Sequence, residues 1–284
     1  MSRIGPLANQ ADETFGYDSV GNRLNRDPAS FTSSGAGGQP VNSTFNPANR
    51  LLNDTTFTYT YDNNGNLVTK THVATSQVTS YVYDAENQLI QITRPDGLVA
   101  NYRYDGLGRR IEKSAVSGLS SAVVRYVYDN EDIALEFAGS PSSPLNTLTA
   151  GYVHGPGIDE PLLMTRIDPI VGAQSYFYHS DGLGSVTDLT NTTGTIAQSY
   201  VYDSFGNIVT QTGTLPAGIS NPYTYTGREF DAESGLFYYR ARYYDPAAGR
   251  FISPDPSLTP SNRQDTLFIR ADQSDDPQDF KDNS

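Results

Sequence analysis

Two aspartates, Asp245 and Asp255, stand ten residues apart on either side of Gly249-Arg250-Phe251. Carboxylates brought close together share a proton, so that one acts as base and the other as acid, as aspartyl peptide-bond cleavage requires. Each is followed by a proline, Pro246 and Pro256, and Asp-Pro also starts turns. The spacing gives no sign that the carboxylates meet in space. The reading it favours is two turns, with Arg250 paired to one of the acids.

Other chemistry-bearing residues are sparser. His72, His154 and His179 lie far apart, with no HExxH, so no metal site and no cofactor is expected. Asp62-Asn63-Asn64-Gly65-Asn66 looks slightly like a calcium loop but lacks the downstream glutamate. Gly182-Leu183-Gly184-Ser185 lacks the nucleotide fingerprint, and His179 with Ser180 and Ser185 has no nucleophile elbow. On a single strand, Arg240 and Arg242 would share one face, with Tyr239, Ala241 and Tyr243 on the other. Flanked by Arg228 and Arg250, they are expected to stack on rings and to bond Asp231, Glu233 or Asp245.

A repeated phrase must position these residues. Tyr59-Thr60-Tyr61-Asp62 returns at Tyr81/Tyr83, Tyr102/Tyr104, Tyr126/Tyr128 and Tyr200/Tyr202. The first three steps are 22, 21 and 24 residues, the length of a hairpin unit. In Tyr-x-Tyr both rings fall on one strand face. The Asp-x-x-Gly that follows, as at Asp62 and Gly65, closes a turn: the aspartate bonds nearby amides and the glycine takes the left-handed conformation. Weaker copies occur at Phe15-Gly16-Tyr17, Tyr152-Val153-His154 and Tyr176-Phe177-Tyr178-His179, and a last one starts at Tyr223. No long amphipathic helix pattern is found. The fold class is therefore all-β: repeated antiparallel hairpins forming a curved sheet or partial spiral β-shell. The Tyr-x-Tyr faces read as ring ladders between hairpins, or alternatively as an aromatic groove for a glycan or peptide.

Composition agrees. Charged residues make up 18% and aromatics 11%, with 20 Tyr, so most of the chain should fold. There is no cysteine, which excludes thiol nucleophiles and Cys-based metal sites. The net charge of -13 argues against a nucleic-acid coat. No stretch is apolar enough to span a bilayer, and residues 1–6 do not resemble a signal peptide.

The final unit runs Tyr223-Thr224-Tyr225-Thr226-Gly227-Arg228-Glu229-Phe230-Asp231, then Phe237-Tyr238-Tyr239-Arg240-Ala241-Arg242-Tyr243-Tyr244-Asp245-Pro246, then Gly249-Arg250-Phe251-Ile252-Ser253-Pro254-Asp255-Pro256. It resembles the end of the RHS-repeat-associated core, and the upstream units resemble YD repeats. Tyr178-His179-Ser180-Asp181-Gly182-Leu183-Gly184-Ser185 is similar to that family's penultimate signature. The resemblance implies a spiral β-shell that encloses or presents another polypeptide, and a secreted or cell-surface setting. It also implies self-cleavage near the boundary aspartates, but the second half of the boundary motif is missing after Asp255-Pro256, and the remaining 28 residues are too few for an effector domain.

Four segments are expected. Residues 1–50 hold a degenerate repeat and an irregular Gly/Ser/Pro/Asn-rich stretch, 51–222 the hairpin array, 223–256 the terminal motif and 257–284 a short acidic tail. The leading function is an architectural, non-enzymatic shell segment with a protein partner or further portions of a larger polypeptide. The alternatives are a surface module binding carbohydrate or protein, and a residual self-processing aspartyl protease.

Overall fold

A computed structural model describes residues 14–27, 43–118, 120–140, 143–168 and 172–256. The expectations for the first thirteen residues, for 28–42 and for the acidic tail lie outside these. Among the described residues all regular structure is strand, apart from one 3-10 turn at Tyr225–Gly227.

Sixteen strands, β3 (Thr44–Phe45) through β18 (Ile208–Gly213), pair antiparallel in strict chain order to make one long sheet. Its turns carry the repeated chemistry. After β5 (Phe57–Tyr61), Asp62 N–H donates to Asn66 O at 3.0 Å and Gly65 N–H to Asp62 O at 3.1 Å. Asn66 N–H donates to Asp62 Oδ1 at 2.8 Å. The same bonds recur around Asp84, Asp105, Asp181 and Asp203. The fourth position needs positive φ, +96° at Gly65, and in the Asp84 turn Asn87 supplies it at +63°.

Each such turn sits on a bulge that sets the residue before the aspartate, the second tyrosine in all but the Asp181 turn, opposite the residue five past the aspartate. The pairs are Tyr61 with Leu67, Tyr83 with Leu89, Tyr104 with Arg110 and Tyr202 with Ile208. The second tyrosine also ties its hairpin to the one before. Tyr61 OH donates to Leu51 O at 2.8 Å, Tyr104 OH to Leu89 O at 2.7 Å, Tyr128 OH to Arg110 O at 2.9 Å and Tyr202 OH to Val186 O at 2.6 Å. A hydroxyl bond of this kind contributes about 1 kcal/mol net, and burying the carbonyl without it costs more.

All these rings point to the concave side. Tyr59, Tyr81, Tyr102, Tyr126, Tyr152, Tyr176 and Tyr200 are buried. This removes the basis of the glycan-groove alternative, which needed the ladder open to solvent. The rings are instead covered by the last segment of the chain.

That segment is a separate four-stranded sheet: β19 (Glu229–Asp231), β20 (Leu236–Tyr239), β21 (Arg242–Asp245) and β22 (Arg250–Phe251). Every residue of β20 and β21 is buried, so neither face of these two central strands meets water. Leu236, Tyr238 and Tyr243 pack with Tyr59, Tyr81 and Tyr102 from the first half of the wall. Phe237, Tyr239 and Tyr244 pack with Tyr126, Tyr176 and Tyr200 from the second half. The wall therefore curls around the terminal sheet, which fills its interior. Tyr223, expected to start another repeat, makes only an isolated bridge to Glu229.

The first hairpin, β1 (Thr14–Tyr17) and β2 (Arg23–Asp27), closes most of the remaining gap. Ser43 N–H donates to Leu24 O at 3.0 Å on the β3 side. On the other side Phe15 packs edge-on to Phe205 at 5.4 Å, with the Arg23 guanidinium 3.9 Å above the same ring. Arg23 Nη2 also donates to Ala248 O at 2.7 Å, so one hairpin touches both ends of the wall and the terminal sheet. The stretch from residue 25 to 50, expected as irregular, includes β3 and an Asn46 turn, so the array begins before residue 51.

Candidate functional site

The site with the most chemistry is the contact between the wall and the terminal sheet. Arg110 opens β10 (Arg110–Ser117) and is fully buried. Leu67, Leu89 and Val186 occupy the same place in their own hairpins and are ordinary buried apolar residues. Here an arginine takes that place, and the terminal sheet presents acids to it. Both its Nη atoms bond the Asp231 carboxylate, Nη2 to Oδ1 at 3.1 Å, and Nη2 lies 2.8 Å from Glu229 Oε2.

Lys113, one turn of the pleat further along β10, adds a second cation. Its Nζ lies 2.7 Å from Asp231 Oδ1, 3.2 Å from Glu229 Oε1 and 3.7 Å from Glu233 Oε1. Rings complete the cage. The Arg110 guanidinium is 4.1 Å from the Tyr238 ring centroid and 5.4 Å from that of Tyr102, and Nη1 donates to Tyr243 OH at 2.9 Å. Arg110 N–H, freed by the bulge, donates to Tyr238 OH at 3.0 Å. Tyr126 OH donates to Glu229 Oε1 at 2.6 Å.

The ionisation states follow from this cage. Burial alone would raise Glu229, but Arg110, Lys113 and the Tyr126 hydroxyl bring it down to about 2. Burial pushes Lys113 down, and the three facing carboxylates more than reverse that, holding it above its ordinary value. Burial and the neighbouring Asp231 charge raise Glu233. The cluster is a fixed set of charges. Its two cations and three carboxylates tie the terminal sheet to the wall by ion pairing.

A second contact lies at the turn ends of the wall. Arg228 Nη2 is 2.7 Å from Asp159 Oδ2, and Arg240 Nη2 is 3.2 Å from Asp159 Oδ1 and 3.3 Å from Asp132 Oδ1. Burial raises the Asp159 carboxyl despite these two guanidinium groups. Backbone bonds add further ties, from Leu67 N–H to Ile252 O at 2.8 Å and from Val186 N–H to Thr224 O at 2.9 Å.

The two aspartates are held separately. Asp245 ends β21, takes Lys70 Nζ at 2.6 Å and accepts from Ala247 and Ala248 N–H, which makes it a turn starter bound to the wall. Asp255 is paired with Arg242 Nη2 at 3.1 Å, and that guanidinium stacks 3.7 Å over Phe251. Arg250 reaches back to the start of the wall. Its Nη2 donates to Asn49 O at 2.9 Å, and its guanidinium lies 5.2 Å from the Phe45 ring.

The expected Arg240/Arg242 face is also corrected. Tyr239 pairs directly with Arg242 across a hairpin whose turn contains Arg240 at φ +55°, so the two arginines do not share a strand. The acids expected to meet these arginines are claimed by the wall: Asp231 by Arg110 and Lys113, Asp245 by Lys70. Gly227 closes the 3-10 turn at φ +69°, and a side chain there would strike Asp159 O at 2.3 Å. Gly249 takes φ +67° between Phe205 and Arg23. Among the described residues no cluster of three or more metal-ligating side chains is present.

Arg110, Lys113, Lys70 and Glu229 were not singled out in the sequence. The signal was present. Aligning the hairpins by their turn glycines puts Arg110 in a column otherwise held by Leu67, Leu89, Val186 and Ile208, with Arg23 as the other exception.

The comparisons with known proteins agree with this architecture. The Teneurin YD-shell family model matches residues 2–277, and the chain belongs to that family. The tRNA nuclease WapA of Bacillus subtilis (strain 168) is 31% identical over 255 residues, spanning 89% of this chain and 10% of that protein. The double-stranded DNA deaminase toxin A of Burkholderia cenocepacia (strain H111) is 30% identical over 275 residues, 90% of this chain and 18% of the toxin. In the crystal structure of TcdB2-TccC3-TEV, the matching region has a TM-score of 0.54 at 19% identity, covering 88% of this chain and 16% of that one. The chain therefore spans a fifth or less of the length of these relatives, and the structural likeness is one of fold. No helix among the described residues is long and apolar enough to cross a membrane.

Proposed function

We propose that this chain is a segment of a toxin-delivery shell, working outside the cell that makes it, whose wall encloses or presents another polypeptide. The observation that carries the reading is a wall with a distinct inside. Its sixteen strands turn their tyrosine ladders to one face, and the terminal sheet docks there with both faces buried. The interior of this segment is occupied by its own terminal sheet, so an enclosed polypeptide would lie in the adjoining part of a longer shell. Relatives named as a tRNA nuclease and a double-stranded DNA deaminase toxin match this chain over only 10% and 18% of their own length, which supports a shell segment serving a larger protein. A protein partner fits this role. Asp245 and Asp255 serve it as ion-pair partners of Lys70 and Arg242.

The test is protease protection. The longer shell that contains this chain is purified with the polypeptide it encloses and digested under native conditions. A partner fragment that survives while the free partner is degraded is the expected result. A partner digested at the same rate with and without the chain overturns the enclosing role.

A further inference from the structure

The cavity at the second wall contact holds a histidine that the docking just described does not use. His154 ends β13 (Ser143–His154) and faces a space of about 30 Å³ between wall and terminal sheet. Its Nε2 meets Ile133 O at 3.2 Å, which assigns the proton to that nitrogen and leaves Nδ1 as the bare one. Nδ1 is buried and has no hydrogen-bond partner among the described residues. The ring is wedged edge-on against Tyr223 of the terminal segment, with centroids 5.4 Å apart.

Charged groups reach this cavity from every side. From the wall come Asp132 on β12 (Asp132–Ser140), Glu131 just before it, and Asp159. From the terminal segment come Arg228, Arg240 and Glu229. Tyr128 and Tyr238 contribute neutral hydroxyls. Glu229 is already engaged by Arg110 and Lys113, and Glu131 is exposed at the rim. What remains beside His154 is two guanidinium groups against two carboxylates, a balanced set while the imidazole is neutral.

We propose that His154 is an acid-sensitive latch: protonating Nδ1 places a third cation beside Arg228 and Arg240, in a site with no acceptor for the new proton, and loosens the terminal sheet from the wall. Undocking returns the ring to water, where the charged form is solvated.

The direction of the effect follows from linkage. Burial, with a smaller contribution from Arg240, lowers His154 below its ordinary value of 6.5, against the pull of Asp132 and Asp159. The undocked state therefore binds the proton more readily, and docking weakens as pH falls below 6.5. Asp159 works the other way. Its raised carboxyl takes up a proton more readily when docked, which offsets the histidine only as the pH nears the carboxylate range. The latch thus acts in a mildly acidic window.

The experiment is amide hydrogen exchange of the intact chain at pH 7.5 and 5.5, corrected for intrinsic exchange, with the wild type and His154→Gln. Glutamine keeps a donor for Ile133 O and carries no titrating group. In the wild type, residues 223–230 should lose protection at pH 5.5, with tenfold per pH unit below the ordinary histidine range as the upper limit. In His154→Gln the protection should be equal at the two pH values. Unchanged protection in the wild type overturns the proposal, and so does the same loss in the variant. If the variant is unstable at pH 7.5, His154→Asn provides the same comparison.

Discussion

The two charged contacts between wall and terminal sheet are built from the same residue types and behave differently. At the Arg110 cage, two wall cations face the acids of the terminal sheet, and Glu229 is brought down to about 2 although it is fully buried. At the Asp159 seam the charges are reversed, with wall acids facing terminal-sheet arginines, and burial wins: Asp159 is raised and Arg228 lowered. The difference is one of ligation. Glu229 receives Arg110, Lys113 and the Tyr126 hydroxyl, whereas Asp159 has the buried Arg228 and a partly exposed Arg240 that it shares with Asp132. Depth of burial alone does not set the ionisation of a buried acid. The number of charges and donors aimed at it does.

This gives the contacts opposite pH ranges. Glu229 is depressed from 4.5, so its contribution is full above that value and is lost as pH falls toward about 2. Lys113 is raised from 10.5, so its contribution is full below that value and is lost above it. The cage therefore holds across the whole range in which the histidine seam responds.

The largest expected effect comes from breaking the cage. Arg110→Leu restores the apolar residue found at Leu67 and Leu89 but strands Asp231 and Glu229 with only Lys113. Loss of one partner from a buried ion pair costs about 3–5 kcal/mol, which denaturant unfolding will measure. Adding Asp231→Asn and Glu229→Gln to that variant should recover more than half of the loss, because no unpaired charge is then buried. Full stability of Arg110→Leu alone would mean that ring packing holds the terminal sheet without the ion pairs.

A smaller effect separates docking from wall cohesion. Tyr61→Phe, far from the His154 cavity, removes the bond to Leu51 O and should cost about 1 kcal/mol. That variant should destabilise the wall without altering the pH response of the seam. A change in the pH response would show that the cohesion of the wall and the seam are coupled.

Much of the wall was legible in the sequence because its signals are local. Period two puts Tyr59 and Tyr61 on one face, and Asp62 with Gly65 sets the turn within five residues. The docking of the last segment depends on contacts more than a hundred residues apart, as between Arg110 and Asp231, and no local pattern encodes them. Two hints were available even so. Leu236-Phe237-Tyr238-Tyr239 is apolar at consecutive positions, the pattern of a strand buried on both faces. Arg110 and Arg23 break a column held elsewhere by Leu67, Leu89, Val186 and Ile208. The Arg240/Arg242 face was misjudged because a turn at Arg240-Ala241 interrupts the strand that the alternation assumed.

The central claim is that the terminal sheet lies inside the curl of the wall. Amide hydrogen exchange of residues 236–245 at neutral pH tests it most directly. These amides are expected to exchange as slowly as those of the wall strands bearing Tyr102 and Tyr126, opening only when the whole fold opens. Exchange within seconds across that segment, while those wall strands stay protected, would place the terminal sheet outside and contradict the account.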